Sequence, residues 1–147
     1  MTDRPRTEFR LYDGVRICLL DFTHLATEEE GAVAIAEAKA IIAKEPPKSV
    51  YTITDVTGSR VTPKLRAALT DLTQHNKPYV IAGAVVGMTA IQRVILRAII
   101  QLTGRRLVTA ASMEEAVAGI ARGEGGDALT AAAASAPAVT GRGSGKR

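Results

Sequence analysis

Residues 79–104 read YVIAGAVVGMTAIQRVILRAIIQLTG, and the fold turns on how this stretch is parsed. Tyr79 to Val86 is continuously apolar and rich in β-branched residues, the pattern of a strand buried on both faces. Gly87 interrupts the run, Thr89 and Gln92 have the spacing of a capping box, and helical periodicity then continues to Gly104, a C-terminal cap. A doubly buried strand leading into a capped helix is half of a βαβ unit, so the sheet is expected to be mainly parallel, with this strand central.

Working outward, Leu107 to Ala110 reads as a short strand, and Ser112 with Glu115 caps a last helix from Met113 to about Arg122. Upstream, SVYTITD at 49–55 is β-rich, Thr62-Pro63 is an N-cap with proline at N1, and Leu65, Ala68, Leu69 and Leu72 form one apolar stripe. Before that, Thr27 and Glu30 make another capping box, and Val33, Ala34, Ala38, Ile41 and Ile42 keep helical spacing up to Pro46-Pro47. At the start, TEFRLY at 7–12 alternates, Asp13-Gly14 is a hairpin turn, and VRICLLDF at 15–22 is apolar on both faces, which predicts an interior strand covered on both sides by helices. The order ββαβαβαβα predicts one α/β domain over 7–122, with a mostly parallel five-stranded sheet, one antiparallel edge strand and four helices. Residues 1–6 and the Gly/Ala/Ser-rich segment 123–147 have almost nothing bulky to bury and are expected to be flexible.

Composition narrows the function. A chain of 147 residues has room for one core, which excludes a two-domain enzyme. Nineteen basic against fifteen acidic residues leave a net charge of +4, and apart from Arg93, Arg97, Arg105 and Arg106 the cations are dispersed among acids. With three Tyr, two Phe and no Trp there is no platform for stacking bases, so nucleic acid is not an expected partner. Cys18 is the sole cysteine and sits in an apolar run, as a buried small hydrophobe in a reducing compartment. The longest apolar run, Val80 to Met88, is too short for a transmembrane segment, and the N-terminus lacks a signal-peptide core, so the expectation is a cytoplasmic protein. His24 and His75 are too far apart in sequence to pair on a metal, and the Gly83–Gly87 region lacks both the P-loop lysine and the dinucleotide glycine pattern. Neither metal nor cofactor is expected.

In open α/β sheets ligands gather at the carboxyl ends of the parallel strands. Those ends carry Asp21 and His24, then Asp55, Thr57, Gly58, Ser59, Arg60 and Thr62, then Gly87 and Thr89. Asp21, His24 and Ser59 could supply an acid, a base and a hydroxyl, the ingredients of a hydrolase, but no nucleophile elbow is present. The commoner fate of a strand-end aspartate is to accept N–H groups of the next turn. On the third helix, Ile91, Val94, Ile95, Ala98, Ile99 and Leu102 read as the core stripe, and Leu96 and Ile100 widen the apolar arc beyond it. That excess suits a broad buried helix, a homodimer interface or the wall of an apolar pocket. Arg93 and Arg97 lie one turn apart and suit either a solvated face or an anion grip.

The element order, with TITDVTGS at 52–59 and PYVIAGAVVGMTAIQRVIL at 78–96, resembles the bacterial STAS-like family related to SpoIIAA. That family is similar in fold to the anti-sigma-factor antagonists and to the lipid-binding CRAL-TRIO domains. The resemblance spans about residues 7–122 and implies a non-enzymatic regulatory or protein-interaction module working through the loop after the third strand. In the antagonists that loop carries an Asp-Ser pair whose serine is phosphorylated by a partner kinase. Here it reads Asp55-Val56-Thr57-Gly58-Ser59, without the dipeptide, which makes Ser59, then Thr57 or Thr62, the corresponding switch position. Three readings follow in order: a signalling module with a protein partner or self-association, a carrier of a small apolar ligand in a CRAL-TRIO-like cavity, and a hydrolase.

Overall fold

The computed structural model of the chain describes residues 5–123. The expectations for residues 1–4 and 124–147 lie outside them. β1 (Thr7–Tyr12) and β2 (Val15–Asp21) form an antiparallel hairpin. Its turn residues Asp13 and Gly14 have φ of 51° and 83°, the two positive values that a tight two-residue hairpin turn requires. There follow α1 (Glu28–Ile42), β3 (Val50–Asp55), α2 (Pro63–Asn76), β4 (Val80–Val86), α3 (Ala90–Thr103), β5 (Leu107–Ala110) and α4 (Met113–Ala121). Sheet order is chain order, β1-β2-β3-β4-β5, and every pair after the hairpin is parallel. The protein is thus α/β, with a five-stranded mixed sheet and four helices in the predicted order. The middle strand is β3; β4, expected to be central, stands beside it and second from the edge.

Strands laid down in chain order by right-handed crossovers send all three linking helices to the same face. Accordingly Ala34, Leu65, Leu72 and Leu96 from α1, α2 and α3 share one core with Cys18, Leu20, Phe22, Val50 and Val80. α4 alone covers the opposite face, where Ala116, Val117 and Ile120 pack on Ile17, Ile53, Ala84 and Val86. One helix cannot span five strands, so Tyr12, Val15, Leu19 and Tyr51 are only partly buried there. The expectation of helices covering both sides of β2 therefore holds on one side and only partly on the other. Arg6, counted with the flexible terminus in the sequence reading, is tied down: its backbone N–H donates to Glu37 and its guanidinium to the carbonyls of Asp21 and Thr23.

Thr27–Glu30 and Thr89–Gln92 form complete capping boxes, and Thr62 caps α2 ahead of Pro63. The third box is half made: Ser112 accepts the Glu115 N–H, but the Glu115 carboxylate accepts from Ala111, one residue beyond the cap. α1 buries the expected face through Ala34, Ala38 and Ile42, with Ile35 beside them, and only Val33, 70% exposed, departs from it. α3 is turned from its expected stripe. On α3, Ile91, Val94 and Leu102 are 75%, 59% and 72% exposed, while Leu96 and Ile99 are buried and Ile100 packs against the core. Leu96 and Ile100 thus join Ile99 as core contacts of α3, while Ile91, Val94 and Leu102 of the expected stripe face outward.

Candidate functional site

The strand ends repeat one local device. Asp21 Oδ1 accepts the Thr23 N–H at 3.1 Å and its hydroxyl at 2.5 Å; Asp55 Oδ1 accepts the Thr57 N–H at 3.0 Å and its hydroxyl at 2.6 Å. Asp21 and Asp55 are partners in the β2–β3 register, so two Asp-x-Thr turns lie side by side. Each is followed by a residue at positive φ, His24 at 55° and Gly58 at 75°. A third turn follows β4, with Gly87 at φ 85°. A Cβ on Gly87 would stand 2.9 Å from the Thr57 backbone nitrogen, so glycine is what lets the second and third turns close on each other.

Backbone bonds then stitch the turns together: Phe22 N–H to Asp55 O, His24 N–H to Thr57 O, and Val56 N–H to Val86 O, each 2.9 Å. Ser59 completes the seam. Its hydroxyl accepts the Leu25 N–H at 2.8 Å and donates to the Phe22 carbonyl, and the residue is 8% exposed. Asp21 and Asp55 thereby show the commoner fate of strand-end aspartates. Of the ingredients of the hydrolase reading, Asp21 holds Thr23 and Ser59 gives its hydroxyl proton to the Phe22 carbonyl. Among the switch positions, Thr57 is exposed and bound to Asp55, whereas Thr62 caps α2 and donates to Glu28. Arg60 is exposed. Thr89 holds Gln92, whose side-chain amide donates to the Ser59 carbonyl and ties the start of α3 to the same seam.

Behind the seam, between α2, α3 and the sheet, lies a cavity of about 90 Å³. Phe22, Val56, Leu69, Leu72, Ile95 and Leu96 are among its apolar walls. Thr52, Thr73, Asn76 and Arg105 are among its polar ones. Arg105 is 2% exposed, and its Nη1 donates to the Thr73 carbonyl at 3.2 Å. Gly83 makes the room: a Cβ there would lie 2.8 Å from the Thr52 hydroxyl and 3.5 Å from Arg105 Nη2. The sequence reading grouped Arg105 with Arg93, Arg97 and Arg106 and missed it as a wall residue. The signal was the two-residue alternation running back from β5, which puts Arg105 on the same face as Leu107.

The candidate helix residues divide by face. Leu96 lines the cavity, whereas Arg93 and Arg97 stand exposed beside β5, with Ile100 between them and the core. Arg10 beside Glu8, and Arg16 beside Glu45 and over the Phe9 ring, are paired cations on the far edge of the sheet. Cys18 is fully buried, and desolvation pushes its thiol up to about 12. Among the described residues there is no group of three His, Cys, Asp or Glu side chains able to hold a metal ion, and no helix long and apolar enough to cross a membrane. No family model, no curated protein and no solved structure matches this chain.

Proposed function

We propose that this chain is a non-enzymatic binding module of STAS-like type that holds a small, mainly apolar molecule with one anionic end between α2, α3 and the sheet. The observation that carries the reading is the cavity, walled by aliphatic side chains and by the buried Arg105. Its mixed lining matches the usual form of a ligand site, apolar walls with a few placed polar groups. A guanidinium recognises a carboxylate through paired N–H donors, which suits an acidic head at Arg105. A cavity of roughly 150 Å³ accepts benzene, so by the same ratio about 90 Å³ accommodates about four non-hydrogen atoms without movement of α3. That is the size of a short-chain carboxylic acid. The element order and the segments 52–59 and 78–96 support the STAS-like assignment, and the closed Ser59 seam favours binding over hydrolysis.

The test is thermal unfolding of the full chain with acetate, butyrate, hexanoate and, as a cationic control, butylammonium. Acetate, with four non-hydrogen atoms, raises the midpoint most, butylammonium leaves it unchanged, and Leu96→Phe, which fills the space, removes the acetate effect. Saturation at a hundredfold excess over Kd stabilises by about 2.7 kcal/mol. No shift with any carboxylate, together with native mass spectra showing empty protomers from the source cells, would overturn the proposal.

A further inference from the structure

Among the described residues β5 is an edge of the sheet: it pairs with β4 on one side and has no strand beyond it. Every second residue of an edge strand turns its N–H and C=O outward, a template for another strand. Leu107–Ala110 is only four residues long, but it carries neither proline nor charge, and its register with β4 runs unbroken. Along this edge runs a groove whose other wall is α3, with Arg93, Leu96, Arg97 and Ile100 facing Leu107, Val108 and Thr109.

The charge of the groove is one-sided. α3 has no acidic residue, Arg93 and Arg97 are exposed, and exposed Arg106 extends the series at its C-terminal end. None of the three arginines forms an ion pair among the described residues. Arg93 Nη1 reaches only the Met88 carbonyl, at 3.3 Å. Glu115 stands near Arg93 at the other end, where its carboxylate accepts the Ala111 N–H.

We propose that an extended acidic segment of a partner protein docks here as a sixth strand beside β5. The spacing fits. Arg93 and Arg97 are four residues apart on a helix, a rise of about 6 Å. Alternate residues of a strand are about 6.6–6.8 Å apart and point to the same face. A segment alternating acidic and aliphatic residues therefore sets successive carboxylates opposite the two arginines, while its aliphatic residues turn to the α4 face beside Val108 and Ala110, both partly buried there. Main-chain bonds to β5 supply affinity, and the arginines supply selectivity. A second copy is a poor occupant, because pairing two β5 edges about a two-fold axis brings both arginine rows to one seam.

The probe is an end-blocked, fluorescently labelled ten-residue peptide of alternating Glu and Val, titrated against the full chain by anisotropy at low salt. Binding is expected, weakening with salt and weakening at least tenfold in R93E/R97E. The milder R93Q/R97Q gives an intermediate loss, and circular dichroism checks that both variants fold. Of two peptides N-methylated on alternate amide sets, one loses binding and the other keeps it, because a strand shows only one edge to β5. The proposal is overturned if the Lys-Val analogue binds as well, if neither methylated set matters, or if no peptide binds at millimolar concentration. It is equally overturned if the chain sediments as a dimer that R93E/R97E dissociates, or if phosphatidylserine vesicles bind through these arginines and the peptide does not.

Discussion

Replacing Ser59 with alanine should cost far more than a loop serine normally does. The hydroxyl bridges the Leu25 N–H and the Phe22 carbonyl, and those two residues are 2% and 1% exposed. Ser59→Ala removes the bridge and leaves a buried donor and a buried acceptor, each costing about 1–3 kcal/mol when unsatisfied. The space vacated by one oxygen is below the roughly 30 Å³ share of a water molecule, so solvent does not repair the gap. The sum is about 3 kcal/mol, which for a chain of this length lowers the thermal midpoint by about 10 °C. Urea unfolding followed by circular dichroism reads the change directly, with the slope unaltered. Thr57→Ala is the control, since it keeps the Asp55–Thr57 backbone bond at an exposed site and should cost under about 1 kcal/mol. A Ser59→Ala loss under about 0.5 kcal/mol would refute the reasoning. The hydroxyl would then stand free of its two partners, and Ser59 would return as an accessible acceptor for modification.

Gly87→Ala should destabilise more than Gly58→Ala, although both glycines have positive φ and share the roughly 1–2 kcal/mol backbone cost. At Gly87 the new methyl meets the Thr57 main chain, whereas at Gly58 it meets the exposed His24 ring, which can swing away; equal melting temperatures for the two variants would contradict the turn packing. Cys18 should resist a thiol reagent at pH 8 until the chain unfolds. Its folded pKa is raised from 9.0 to about 12, so the unfolded chain releases the thiol proton first. The stabilising contribution is complete below pH 9 and declines as pH rises toward 12. Cys18→Ala should flatten that alkaline decline, and urea titrations from pH 8 to 11 would expose an unchanged slope.

The elements were legible because their ends are chemically marked. Thr27–Glu30, Thr62-Pro63 and Thr89–Gln92 start helices in the structure as they do in the sequence, and Asp13-Gly14 sets the hairpin. The face that α3 buries was not legible, because Ile91, Val94 and Leu102 make as good an apolar stripe as Leu96, Ile99 and Ile100. Hydrophobicity cannot choose between two apolar stripes on one helix. The choice lies with a polar group that finds its partner inside: the Gln92 side-chain amide donates to the Ser59 carbonyl. The strand-end cluster was foreseen as a set of residues, but the repeated Asp-x-Thr turn acquires meaning only from the Asp21–Asp55 register. Arg105 went unread as a cavity residue because a charged side chain after a helix cap is ordinarily solvated, and here Gly83 clears space for it.

A sheet whose spatial order repeats its chain order bears on how the molecule assembles. No strand has to be inserted between two that are already in place; each arrives next to the strand made just before it, after one connecting helix. During synthesis the hairpin can form first and the sheet can then grow in one direction, each addition closing a loop of similar length at similar entropic cost. Among the described residues β5 is the last strand laid down and α4 the last layer, so until α4 emerges the face made by Ile17, Ile53, Ala84 and Val86 stays wet. The growing end of that series is also the edge that the described residues leave open.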